Sequence, residues 1–80
     1  MNKYNQKLTL VIPTYNEAAN IESLCSSLVE VFSKNNIDYE VIVVDDNSPD
    51  QTWKIVQSIA AKDNRIKVIR RTNELSLIHI

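Results

Sequence analysis

The order of hydrophobic periods along the chain restricts its fold more than any other feature: strand, helix, strand, helix, strand. Residues 8 to 12 (LTLVI) are apolar and β-branched, as a buried strand requires. Pro13 predicts the end of that strand, because proline has no N–H to give a central ladder. Ile21, Leu24, Cys25, Leu28, Val29 and Phe32 then fall on one stripe of a helix. Truncating Leu24 or Leu28 on that stripe is expected to cost the full-length protein roughly 2–5 kcal/mol, as for buried leucines. Asn16 reads as the N-cap, with Glu17 in the first turn against the positive end of the helix dipole. The stretch Lys34-Asn35-Asn36 ends the helix. Residues 39 to 44 (YEVIVV) form a second strand, whose nearly unbroken apolar run predicts helices over both faces. Ser48, Pro49 and Gln51 have the spacing of a capping box. Trp53, Val56, Ile59 and Ala60 mark the buried side of a second helix, and residues 65 to 70 (RIKVIR) make a third strand. Right-handed crossovers joining these elements give a β-α-β-α-β parallel sheet, half of a doubly wound α/β domain.

Composition removes other classes. Eighty residues, 44% hydrophobic and 24% charged, suit a small soluble globular unit rather than a disordered or fibrous one. A unit of that size buries a modest share of its surface and is marginal without reinforcement. Cys25 is the single cysteine, so no internal disulfide or cysteine-based metal centre can close, and its place on the apolar stripe reads as core packing. Nine basic residues against ten acidic give a net charge of −1 with no basic stripe, which argues against a nucleic-acid partner. Residues 1 to 7 (MNKYNQK) are polar and expected to fray, and neither a signal peptide nor a transmembrane span is read in the chain. The sequence contains no glycine, where about 7% is average. Neither a P-loop nor a dinucleotide fingerprint can be written without it, so a nucleotide would be held by another device.

Open α/β sheets bind ligands beyond the carboxyl ends of their strands. Two polar loops lie there: Pro13-Thr14-Tyr15-Asn16-Glu17 and Asp45-Asp46-Asn47-Ser48-Pro49-Asp50. If the first two strands are neighbours, these loops face each other across one crevice. Tyr15 offers an aromatic face for a nucleobase. Glu17 and Asp46 offer acceptor-only carboxylates for base N–H groups or ribose hydroxyls. Each also has a plainer reading. Tyr15 can be packing at the sheet edge, and Glu17 a charge at a helix N-terminus. Asp50 reads as a charge in the first turn of the second helix, and Asp45 or Asp46 as a turn residue bonding its own backbone. Two adjacent carboxylates at a strand end are harder to set aside, because burying both is unfavourable without compensation.

The segments VIPTYNE and VIVVDDNSPDQTW resemble the opening of the family 2 inverting glycosyltransferases, and within it the dolichol-phosphate (polyprenol-phosphate) mannosyltransferases. DDNSPD followed by Thr and Trp is the more specific part, and the resemblance covers residues 8 to 74. It implies a GT-A (Rossmann-like) fold, a nucleotide-sugar donor such as GDP-mannose, a polyprenyl-phosphate acceptor and a divalent metal, Mg or Mn. The positions matching the family's donor-nucleotide contacts are Pro13, Tyr15, Glu17, Val44 and Asp46. No residue present is a convincing catalyst or metal ligand, since the family's Asp-x-Asp lies further along. Residues 75 to 80 do not look like the family, so residues 1–80 are expected to be a truncated N-terminal part of one such domain. The family's usual Gly stands as Gln51 here, which a helix start should tolerate. The resemblance implies a cytoplasmic location or the cytosolic face of a membrane, the endoplasmic reticulum in a eukaryote, with peripheral membrane contact or a membrane subunit. Three other readings stay open: another donor such as UDP-glucose or UDP-N-acetylglucosamine, an inert fragment, and a phospho-receiver domain. Receivers carry an acidic pair after the first strand and an Asp after the third, and neither stands here.

Overall fold

The computed structural model describes residues 7–73 and 76–79, so the fraying expected of residues 1 to 7 falls, Lys7 apart, outside the described residues. The elements are β1 (Leu8–Thr14), α1 (Ile21–Lys34), β2 (Tyr39–Asp45), α2 (Thr52–Lys62), β3 (Ile66–Asn73) and β4 (Ser76–His79). β1, β2 and β3 pair in parallel in that order, and β4 adds antiparallel to the far side of β3. The β-α-β-α-β parallel half-domain is the fold formed, with one short strand more than the sequence announced.

Alternation gives the sheet two unlike faces. Leu10, Ile12 and Thr14 stand beside Val41, Val43 and Asp45, which stand beside Ile66, Val68 and Arg70. That face carries both helices. Ile21, Cys25 and Phe32 of α1 and Val56 of α2 share one core with Tyr39, Val41, Val43, Ile66 and Val68. The opposite face has no helix among the described residues: Val11 is 56% exposed, and Ile42, Val44 and Ile69 are half-buried. The expected double cover of β2 is therefore not formed. Two crossovers of one hand that advance the same way across a sheet lay both helices on the same side.

Pro13 does not stop β1, which continues to Thr14. The Leu8 N–H donates to the Asp38 carbonyl and the Asp46 N–H to the Thr14 carbonyl. Even-numbered residues of β1 thus bond to β2, and the N–H that Pro13 lacks falls on the outer edge, where its loss is harmless.

Both helices begin later than their sequence signals. α1 starts at Ile21, with Asn20 at the N-cap position and no side-chain cap. Asn16 is not the cap but sits at φ 55, and Glu17 lies in the preceding turn, its carbonyl accepting from the Ile21 N–H at 2.8 Å. α2 starts at Thr52 with Gln51 before it at φ 63, ψ 36, so Ser48 does not cap it and no acidic residue, Asp50 included, lies in its first turn. A chain without glycine still needs left-handed residues. Among the described residues Asn16, Asn36 and Asn47 fill three of four such positions, as asparagine tolerates that region well. Gln51 fills the fourth, a left-handed position that a β-carbon disfavours.

Candidate functional site

At the carboxyl ends of β1 and β2 the two adjacent aspartates divide. Asp45 keeps the parity of Tyr39, Val41 and Val43, so it points inward and is 0% exposed. Its burial is compensated. Its Oδ1 accepts from the hydroxyls of Thr14 and Ser48, both at 2.7 Å, and its Oδ2 from the Ser48 N–H at 2.9 Å. The Ser48 oxygen accepts from the Asn16 N–H rather than from a helix amide, since α2 begins four residues further on at Thr52. Asp46, one residue on, points the other way, with its side chain 64% exposed.

The first loop is stitched to the second through three successive amides. The N–H of Asn16 donates to Ser48 Oγ at 2.9 Å, that of Glu17 to Thr52 Oγ1 at 3.0 Å, and that of Ala18 to Asp50 Oδ2 at 3.0 Å. Asp50 Oδ1 in turn accepts from the Thr52 hydroxyl at 2.5 Å and the Thr52 N–H at 3.1 Å. The Thr52 hydroxyl above all, joined by the Ala18 and Thr52 amides, holds the Asp50 carboxyl below its ordinary 3.8, against an opposing desolvation.

The expected donor-nucleotide residues take these places. Pro13 and Val44 are register partners, and their parity, opposite to buried Thr14 and Asp45, puts both on the open face. Asp46 continues that face beyond Val44, with Arg71 Nε 3.9 Å from its Oδ1. Tyr15 is 56% exposed just past β1. Glu17 is exposed, and its N–H is tied toward α2 by Thr52. Pro13, Val44 and Asp46 thus gather at one end of the open face, beside a clamped loop carrying Tyr15 and Glu17. Sequence reasoning offered Asp45 as one of two turn candidates, and the Ser48 N–H bond makes it that, but it missed the clamp built with Thr14, Ser48, Asp50 and Thr52. It also missed Arg70, whose guanidinium lies 3.9 Å from the Trp53 ring centre while its Nε donates to Asn47 Oδ1 at 3.0 Å.

Among the described residues no three His, Cys, Asp or Glu side chains gather as a metal site. Both oxygens of Asp45 and of Asp50 are engaged, and Asp46 and Glu17 do not gather with a third such side chain, so the described residues do not fit the divalent ion that the resemblance implies. No helix among the described residues is long and apolar enough to cross a membrane.

A parallel sheet with polar loops converging beyond two adjacent strand ends belongs to the open α/β class that takes its ligand at that end. Residues 9–78 match glycosyl transferase family 2, and the chain belongs to that family. It is similar to dolichol-phosphate mannosyltransferase of Pyrococcus furiosus, 45% identical over 71 residues, which are 89% of this chain and 19% of that protein. It is also similar to an uncharacterized glycosyltransferase of Synechocystis sp., 40% identical over 63 residues, 79% of this chain and 20% of that protein. The chain spans about a fifth of the length of these curated relatives.

Proposed function

We propose that these residues form the donor-nucleotide half-site of an enzyme that transfers a glycosyl group from a nucleotide sugar. On this reading the reaction moves mannose from GDP-mannose to a polyprenyl or dolichyl phosphate. The reading rests on Asp46: an exposed carboxylate ends the face formed by Pro13 and Val44, in a family 2 chain similar to a dolichol-phosphate mannosyltransferase. Asp46 accepts from base or ribose, Tyr15 stacks on the base, and Pro13 and Val44 wall the pocket. Glu17 adds a second acceptor. An acceptor phosphate oxygen attacks the anomeric carbon, the bond to the nucleoside diphosphate breaks, and the configuration inverts. An ionised phosphate is already nucleophilic, so no strong general base is required. Residues 1–80 are on this reading the first part of one family 2 domain. The groups that bind the acceptor and steady the leaving diphosphate belong to the length of the relatives that this chain does not span. A polyprenyl acceptor brings the whole enzyme to a membrane surface.

Calorimetric titration with GDP-mannose, GDP and UDP-glucose tests the donor. GDP-mannose and GDP are expected to bind more tightly than UDP-glucose. Asp46→Asn exchanges an acceptor oxygen for a donor and is expected to cost roughly 1.5–3 kcal/mol in donor affinity. Tighter binding of UDP-glucose would transfer the assignment to another donor. An unchanged affinity in Asp46→Asn would remove Asp46 from the site.

A further inference from the structure

The first loop has little of its own to hold it. Between β1 and α1, residues 15 to 20 form only bends and turns, Tyr15, Asn16 and Glu17 are exposed, and Asn16 sits at φ 55. Asparagine tolerates such a backbone angle, so the angle does not hold the loop and its position is left to its surroundings. Those surroundings are the second loop and the start of α2, which supply the side-chain oxygens that accept from the Asn16, Glu17 and Ala18 amides. Asp50 occupies the pivotal place among them. It accepts directly from Ala18, and it holds the Thr52 hydroxyl whose oxygen accepts from Glu17. Removing one carboxylate therefore loosens two of the three stitches. Asp50 Oδ1 also accepts from the Thr52 N–H at the start of α2, so a helix-dipole contribution is present, but that contribution by itself would not tie down Ala18.

We infer that Asp50 is a positioning residue of the half-site: it fixes the backbone of residues 16 to 18 so that Tyr15 and Glu17 are presented in one geometry to a nucleoside diphosphate. It need not touch that ligand, and its oxygens are already engaged. The inference rests on the donor reading above for its ligand, while the clamp itself stands on the loop geometry.

Two measurements on the full chain separate these parts, each made where circular dichroism shows the variants folded. The first is amide hydrogen exchange by NMR without ligand. Asp50→Ala is expected to speed exchange at Ala18 and Glu17 by about tenfold or more beyond any change at Val43 in β2, which reports global opening. Asp50→Asn, which keeps one acceptor oxygen, is expected to restore part of the protection. The second is titration with GDP. Asp50→Ala is expected to weaken binding about tenfold, Asp50→Asn less, and in a Tyr15→Ala background the Asp50→Ala loss should largely vanish, because the loop then has less to present. A purely structural role would give additive losses. Unchanged exchange at Ala18 overturns the clamp. Faster exchange with unchanged GDP affinity, or with additive losses, overturns positioning. If the unsubstituted chain does not bind GDP, the donor reading falls, and the exchange rates still decide the clamp.

Discussion

Gln51 holds a left-handed backbone that a β-carbon disfavours, and nothing in its side chain offsets this, for it makes no cap hydrogen bond. Gln51→Gly is expected to raise stability by about 1 kcal/mol, read as a higher urea midpoint at unchanged slope. Asp45 is the opposite case. Asp45→Ala would leave the buried Ser48 N–H and the Thr14 hydroxyl without their acceptor, a loss of about 1–3 kcal/mol for each group stranded, checked by the same denaturation. Asp50 adds a pH dependence. Its folded carboxyl titrates below the ordinary 3.8, so the unfolded chain binds the proton first as pH falls. Its contribution is complete above that ordinary value and is lost as pH drops through the folded one. The gap in urea midpoint between the parent and Asp50→Asn is therefore expected to narrow in acid; a gap that stays constant down to about pH 2 would refute the assignment. The alternation that turns Asp45 inward with Tyr39, Val41 and Val43 is present in the sequence, yet the sequence reads as a strand only to residue 44 and leaves Asp45 and Asp46 as alternatives. The role of Ser48 was not legible. A capping box is read by spacing alone, whereas the oxygen of this hydroxyl accepts from the Asn16 amide thirty-two positions away, a contact that only folding supplies.

α1 shows what an apolar stripe does and does not specify. Ile21, Cys25 and Phe32 face the sheet and are buried, Leu28 and Val29 are half-buried, and Leu24 is 42% exposed. Leu24 lies instead at the outer edge of β1, where with Ile12, Pro13, Glu17 and Ile21 it lines a cavity of about 230 Å³. The full cost expected for truncating Leu24 therefore does not apply to this chain. Ile21→Ala is expected to cost roughly 2–5 kcal/mol and Leu24→Ala a clearly smaller amount, compared by denaturant midpoints. Equal losses would mean that the β1 edge is covered in solution. Five of the six elements were legible because period 2 and period 3.6 are local properties. The helix starts were not, since the first turns are set by contacts between residues 16 to 18 and residues 48 to 52, more than thirty positions apart. β4 was not, since its antiparallel pairing with β3 is a matter of partner rather than pattern.

For the whole molecule the consequence is a sheet dressed on one side. Among the described residues the helix-bearing face holds the buried core, while the other face is polar at one end, where Lys67 and Glu40 pair, and apolar along Val11, Ile42, Val44 and Ile69. That ion pair is exposed and adds little. A lone two-layer unit of 80 residues sits close to the balance between burial and chain entropy, and this one leaves part of its β-branched surface in water. Among the described residues β1 is an outer strand whose Thr9 and Val11 N–H groups face its free edge, a template for another chain. The 80-residue chain is therefore expected to be a poorly stable monomer. Circular dichroism melting at low concentration, with sedimentation to establish the monomer, should show a broad transition near room temperature or below it. Val11→Thr keeps the β-branch and replaces an exposed methyl by a hydroxyl, so it is expected to change that transition by less than about 1 kcal/mol. A cooperative transition well above room temperature in a demonstrated monomer, or a large loss in Val11→Thr, would mean that the bare face is covered by an arrangement other than the one described.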